Sequence, residues 1–226
     1  MNGKATSALP TLTRREAGKA ERRRQIIQAA RDLIRETGNP GLSMRGLAAR
    51  AGVSLATPYN LFGSKRAIVV AVLQDVREFQ ERFSTLRIAD PVEKIFAALD
   101  MSIIFYVGDP AFYRTVWAAV LDVSDGVRGE ILNPRRDAFW RGLVDEAVRA
   151  GAIAEGVDPG LLLRQLEAIL HSVMFDWVVG EIGAARLGPT ARHGYALLLL
   201  GSAAPEWRGP LRARVLEAQA ALAPGG

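Results

Sequence analysis

The stretch ARAGVSLATPYNLFGSK, Ala49 to Lys65, gathers small, hydroxyl-bearing, amide and cationic side chains in one short span. It holds no carboxylate, histidine or cysteine. Its groups suit contact with a polyanion instead. Hydroxyls and ammonium groups donate to phosphate oxygens and fix a register. Gly52 suits a left-handed turn between two short helices, and Gly63 closes the second. Pro58 falls inside that second helix, and two readings of it stay open. With Ser54 as N-cap, Pro58 is the fourth helical residue, forfeits the first intrahelical bond and crowds the Ser54 carbonyl. With Thr57 as N-cap, Pro58 sits in the first turn and only Pro58 to Phe62 is helical. The expectation is an irregular or 3₁₀-like start, with Tyr59, Asn60 and Phe62 helical.

Such a pair of helices needs a scaffold, and the flanking sequence supplies one. Ile26, Ile27, Ala30, Leu33 and Ile34 share one helical face, and Gly38-Asn39-Pro40 stops that helix. Ser43 is a candidate N-cap for the second helix, with Leu42 and Leu47 as a hydrophobic staple. Ser64 caps a fourth helix. There AIVVAVL looks strand-like, but Ile68, Val69, Val72, Leu73, Val76, Phe79 and Phe83 follow a helical repeat. Further helices are expected over 91–107, 110–122, 127–150, 158–182, 189–202 and 208–223. Asp90-Pro91, Asp109-Pro110 and Asp158-Pro159 read as helix starts. Gly108, Gly126, Gly151, Gly156 and Gly188 mark joints. With no internal repeat and no credible sheet, the fold class is all-α. A disordered basic arm spans 1–13. A three-helix helix-turn-helix domain spans 14–66, and a larger helical domain spans 67–226.

Charge follows the same division. Residues 1–66 carry thirteen Lys and Arg against four Asp and Glu, and the remainder carries sixteen against twenty. The net +5 is therefore the sum of a basic front and a mildly acidic back. A polyanionic partner suits the front, although a solvated basic face fits composition equally well. With no cysteine in 226 residues, disulfides are excluded, which suits a reducing cytoplasm. The front has no apolar signal segment. Leu161 to Val179 is interrupted by Arg164, Glu167, His171 and Asp176, so it reads as an amphipathic helix and not as a membrane span.

From Arg23 to Leu73 the chain resembles the TetR family of transcriptional regulators. The resemblance rests on IIQAARDLI, LSMRGLAARAGVS and TPYNLFGSKRAI. The family's paired alanines fall on Ala29 and Ala30, its helix-opening hydroxyl on Ser43, and its Ala-x-x-Ala-Gly-Val-Ser on Ala48 to Ser54. Its Thr-x-Tyr-x-x-Phe falls on Thr57, Tyr59 and Phe62, and its following lysine on Lys65. Pro58 stands where the family usually carries an apolar residue, often Leu. The resemblance implies a double-stranded DNA operator as partner. It makes Thr57, Tyr59 and Lys65 phosphate clamps and Arg45 a contact to a guanine edge or a phosphate. Ser43 and Ser54 are caps whose hydroxyls also reach the DNA side, and Leu55, Ala56 and Asn60 lie where base edges are read. Lys4, Arg14, Arg15, Lys19 and Arg22 to Arg24 form a candidate arm toward a minor groove or phosphates, with Arg22 to Arg24 favoured.

The same resemblance implies a small-molecule effector pocket in the back domain. Aromatic and methionine side chains recur there at helical spacing. The candidate ligand contacts are Met101, Phe105, Trp117, Phe139, Trp140, His171 and Phe175, each of which core packing also explains. In relatives the last two long helices form a four-helix homodimer interface, which places it here near 158–182 and 189–202. No phosphate-binding glycine loop, nucleophile motif or metal-spaced cluster is visible, so neither an enzyme nor a cofactor is expected. Localisation is expected to be cytoplasmic. The reading is a ligand-responsive DNA-binding regulator, most simply a repressor released by a mainly apolar ligand. The alternative is a ligand-binding interaction protein that has lost specific DNA recognition.

Overall fold

A computed structural model describes residues 14–73, 77–121 and 134–223. The arm expected over 1–13, with Lys4, lies outside them, as do Val76 and the joint at Gly126. The described residues form eleven α-helices and no strand, with one isolated antiparallel bridge between Ile153 and Ala203. The front comprises α1 (Arg14–Thr37), α2 (Met44–Arg50), α3 (Ala56–Phe62) and α4 (Lys65–Leu73). The body comprises α5 (Arg77–Ser84), α6 (Pro91–Gly108), α7 (Pro110–Leu121), α8 (Pro134–Arg149), α9 (Pro159–Val179), α10 (Ala184–Ser202) and α11 (Arg208–Leu222).

Local chemistry explains most helix boundaries. The Ser43 backbone is extended and its Oγ accepts from the Gly46 N–H at 3.3 Å. Leu42 and Leu47 are both buried in the head core, as a staple requires. At the other end of α2, the Val53 N–H donates to the Ala48 carbonyl and the Gly52 N–H to the Ala49 carbonyl. That is a Schellman closure, and Gly52 supplies its positive φ of 64°. Asp90 and Asp158 cap α6 and α9 through backbone N–H groups, each with proline in the first turn. Ser64 Oγ accepts from the Ala67 N–H at 3.0 Å and opens α4.

The start of α3 differs from both readings of Pro58. The N-cap is Leu55, in helical conformation and without a side-chain cap bond. The Ser54 carbonyl accepts from the Thr57 N–H at 3.0 Å, a three-residue turn of 3₁₀ type. The Ser54 hydroxyl pairs with the Thr57 hydroxyl at 2.8 Å, so Ser54 is not a side-chain N-cap. Pro58 is then the third helical residue, where a backbone N–H has no intrahelical acceptor in any helix. The proline costs no bond, its ring is buried, and the helix runs for seven residues, not five.

A second correction concerns α10. It begins at Ala184, so Pro189 lies inside it as the sixth residue and not at its start. The Ala185 carbonyl therefore lacks its usual i+4 donor. Gly188 is no joint but a buried interior residue, where a Cβ would come 3.5 Å from Ile103 Cγ2. Helix α9 also ends three residues early, at Val179, because Gly180 takes a left-handed cap with φ 90°.

Two apolar cores result. Ile26, Ala30 and Ile34 of α1, Leu47 of α2, and Ile68, Val69 and Val72 of α4 form the head core. Phe112 and Val116 of α7 complete it. Their neighbour Trp117, with 0% exposure, belongs to the body core built from α6, α8, α9 and α10. Helix α7 thus packs into both cores, and the head core reaches past residue 66.

Candidate nucleic-acid interface

The head holds α3 by its buried side and leaves the other side in solvent. Pro58 is buried, and Leu61 and Phe62 pack partly against the head core. Leu55 is 47% exposed and Tyr59 48%, and Ala56 and Asn60 are exposed beside them. Neither Leu55 nor Tyr59 belongs to the head core, so both side chains remain available for contact from solvent. Thr57 is half-buried, its hydroxyl held by Ser54. Lys65 is exposed at the first residue of α4, where N–H groups and the helix dipole favour an anion. Ser43 and Arg45 are exposed at the start of α2. The structure thus distributes the sequence-derived set over three consecutive short helices, with Ser43, Arg45, Leu55, Ala56, Thr57 and Lys65 near their starts and Tyr59 and Asn60 farther along α3.

The cationic segment before them divides. Arg14, Arg15, Lys19 and Arg22 are exposed on α1. Arg24 pairs with Glu21. Arg23 turns inward: its guanidinium donates to the Leu61 carbonyl at 2.5 Å and lies 4.1 Å from the centre of the Phe62 ring. Arg50 binds Glu36 through both guanidinium nitrogens, at 2.9 and 2.6 Å, and ties the end of α2 to the end of α1. That hydrogen bond holds the Glu36 carboxyl below its ordinary pKa.

The proposed ligand contacts fall into separate groups. Phe105 and Phe139 meet Phe79 at 6.2 and 5.3 Å between ring centres, and Phe139 continues to Trp140 at 5.7 Å. Trp117 belongs to a second cluster, with Tyr106 at 6.0 Å and His171 at 5.7 Å. The Trp117 indole N–H is buried and has no acceptor among the described residues. Tyr113, stacked edge-on against Tyr106 at 5.2 Å, has its phenol pKa raised, chiefly by burial. Met101 is half-buried on α6. Phe175 departs from the set, being 51% exposed on α9 and in line with exposed Leu161 and Val179. Two surface hollows of about 330 and 270 Å³, bordered by α6, α10 and α11, are lined by none of these residues.

Comparison with known proteins decides the family of the head. The sequence pattern of the bacterial regulatory proteins, tetR family, matches residues 26–72. Those residues run from the middle of α1 through the exposed face of α3 to α4. The head belongs to the tetR family. No curated protein matches the sequence. Solved structures extend the likeness to the whole fold. A TetR transcriptional regulator from Rhodococcus sp. RHA1 has TM-score 0.60 at 20% identity, covering 81% of this chain and 98% of that one. The transcriptional regulator FadR from Bacillus subtilis, in complex with stearoyl-CoA, has TM-score 0.58 at 22% identity, covering 78% and 97%. The tetR regulator tylp from Streptomyces fradiae has TM-score 0.54 at 21% identity, covering 90% and 99%.

The chain thus has the all-helical fold of these solved structures, with the tetR-family sequence pattern confined to its helix-turn-helix head. Among the described residues no single helix is long and apolar enough to cross a membrane, and no group of three His, Asp or Glu could hold a metal ion. Sequence reading missed three features of this chain. Arg23 faces α3, although its place in a run of three arginines suggested solvent or phosphate. The Arg50–Glu36 pair joins residues on separate helices, which no helical spacing signals. Phe79, Phe83 and Tyr195 join the body's ring contacts, and only the three-dimensional packing brings them there.

Proposed function

We propose that this protein is a homodimeric, ligand-responsive repressor that binds a near-palindromic operator and is released by a small, mainly apolar effector. The observation that carries the reading is the open face of α3, where Leu55, Ala56, Tyr59 and Asn60 are exposed and lie outside the head core. Leu55, Ala56 and Asn60 read base edges in the major groove. Ser43, Ser54, Thr57, Tyr59 and Lys65 grip phosphates on either side, and Arg45 takes a guanine edge or a phosphate.

In the body, Trp117 with His171, and Phe105, Phe139 and Trp140 with Met101 beside them, form the effector site. The acceptor-less Trp117 N–H supports this, because an unsatisfied buried donor costs about 1–3 kcal/mol and a carbonyl-bearing ligand would satisfy it. The B. subtilis neighbour holds stearoyl-CoA, a long apolar chain ending in a carbonyl thioester. Two copies associate through α9 and α10. Leu161, Phe175, Val179 and Leu197 are each about half exposed there, and this apolar stripe supports a four-helix contact. Phe175 thus moves from the ligand set to the dimer surface.

The test is selection of duplexes from a random library by the purified protein, repeated with stearoyl-CoA as first probe. The expected result is an enriched inverted repeat, bound in a steeply salt-dependent manner and released by effector. Failure to enrich any sequence at any ionic strength would overturn the reading.

A further inference from the structure

Helix α3 is poorly equipped to hold its own position. It has seven residues, no side-chain N-cap bond and a proline in its first turn, and helices this short are unstable alone. Its last carbonyls also lack intrahelical partners. Only the Tyr59 carbonyl is closed by the turn, through the Gly63 N–H at 2.8 Å. The Leu61 carbonyl, two residues on, receives the Arg23 guanidinium at 2.5 Å. The same guanidinium covers the Phe62 ring, 4.1 Å from its centre. Arg23 is half-buried, unlike its exposed neighbours Arg22 and Arg24.

Resting on the DNA-binding reading above, we infer that Arg23 is a positioning residue that sets the axial rotation of α3 from the longer α1, and with it the aim of Leu55, Ala56 and Asn60. Three features of one planar cation act together. It satisfies an orphan carbonyl, it places positive charge at the negative end of the helix dipole, and it stacks on the ring of the last α3 residue. Two contacts on adjacent residues, one to backbone and one to a ring face, fix rotation where either alone would allow a swivel. Lysine has no planar face and cannot reproduce both. The consequence is a division of labour among cations of the head. Lys65 contributes charge toward phosphate, whereas Arg23 contributes geometry.

The experiment compares wild type, Arg23→Lys, Arg23→Met and Phe62→Leu on the duplex that wild type selects and on a scrambled duplex of equal length. Dissociation constants are measured across a salt series, and circular dichroism at the assay temperature checks that each variant is folded. Steep, sequence-selective binding by wild type establishes the DNA-binding reading independently of any variant. Given that, positioning predicts that all three variants lose about tenfold or more on the selected duplex and little on the scrambled one. Arg23→Met should keep the wild-type salt slope. A phosphate contact predicts the opposite: Arg23→Lys retains affinity, and Arg23→Met loses about 0.9 from the slope and weakens on both duplexes alike. That pattern, or undiminished discrimination in the folded variants, overturns the inference. Should Arg23→Met unfold the head, Arg23→Lys and Phe62→Leu carry the same comparison.

Discussion

Replacing Pro58 by alanine should cost stability and leave DNA affinity nearly untouched. The proline nitrogen occupies the third helical position of α3, where any residue's N–H would lack an intrahelical acceptor. The Ser54 carbonyl, which a fourth-position residue would need, already accepts from Thr57. Alanine therefore gains at most a second, shared bond to that oxygen. It loses the ring carbons beyond Cβ, which are buried, at about 0.8 kcal/mol per methylene, or about 1.6 kcal/mol for two. It also frees the unfolded chain, worth a further 0.4–1 kcal/mol or so. The expected loss is about 2 kcal/mol, read as a lower urea midpoint at unchanged slope. Affinity for the selected duplex should stay within about threefold, because Leu55, Ala56, Tyr59 and Asn60 lie on the opposite, exposed side. Unchanged stability would refute the packing argument. A shift in affinity beyond about tenfold, with the footprint altered, would show instead that the proline shapes the reading face.

Lys65→Ala should lower the slope of log K against log salt by about 0.9 and weaken selected and scrambled duplexes equally; an unchanged slope would remove Lys65 from the phosphate contacts. Phe175→Asp should convert a dimer into a monomer by analytical ultracentrifugation, since it buries a charge at the proposed contact, and a dimer surviving this change would move the interface elsewhere. Glu36, held below its ordinary pKa by Arg50, contributes stability that is present above its unfolded value. That contribution is lost as pH falls through the lower, folded value. Acid titrations of wild type and Glu36→Gln should therefore diverge above the unfolded Glu value and converge below the folded one, and parallel curves throughout would show that the pair does not contribute.

Most helix starts were legible because their caps are local, although the one helix expected from Ser64 through Phe83 is described as two, α4 and α5, on either side of residues 74–76. Ser43, Ser64, Asp90 and Asp158 announce helix starts in sequence, and the structure gives each a backbone N–H to accept. The start of α3 was harder, since the acceptor taken by one N–H decides the register of the next. Thr57 takes Ser54's carbonyl first, and a one-residue shift makes Pro58 harmless. Pro189 misled for a related reason: proline after glycine looks like a helix start, but tertiary packing of Leu187 and Gly188 against the body carries the helix through it. At the candidate site, Leu55, Ala56, Tyr59 and Asn60 were singled out by the family resemblance, and the structure leaves all four exposed. The partners of Arg23 and Arg50 did not, because contacts between separate helices leave no periodic trace. Phe175 could not be told from an inward aromatic by type alone.

The two cores place a physical condition on any effector response. Phe112 and Val116 lie in the head core, and Trp117 lies in the body core one residue away. The corner before α7 is fixed to the head as well: Arg35 of α1 binds Asp109 at 2.9 Å and lies 4.7 Å from the centre of the Phe112 ring. Helix α7 is closely packed on both sides, so a ligand acting on Trp117 cannot rotate it without repacking Phe112 against Ile34 and Val69 or breaking the Arg35 contacts. A close-packed element of this kind shifts between discrete arrangements and does not deform smoothly. The effector then works only through its difference in affinity for the two arrangements. Driving the head from 1:99 to 99:1 requires a ratio of about 10⁴, and satisfying one indole N–H at about 1–3 kcal/mol supplies roughly a half or less of the corresponding 5.5 kcal/mol. The rest must come from apolar contact. An effector that meets Trp117 alone should therefore bind without releasing DNA, whereas one that also fills the aromatic cluster at Phe105 and Phe139 should release it.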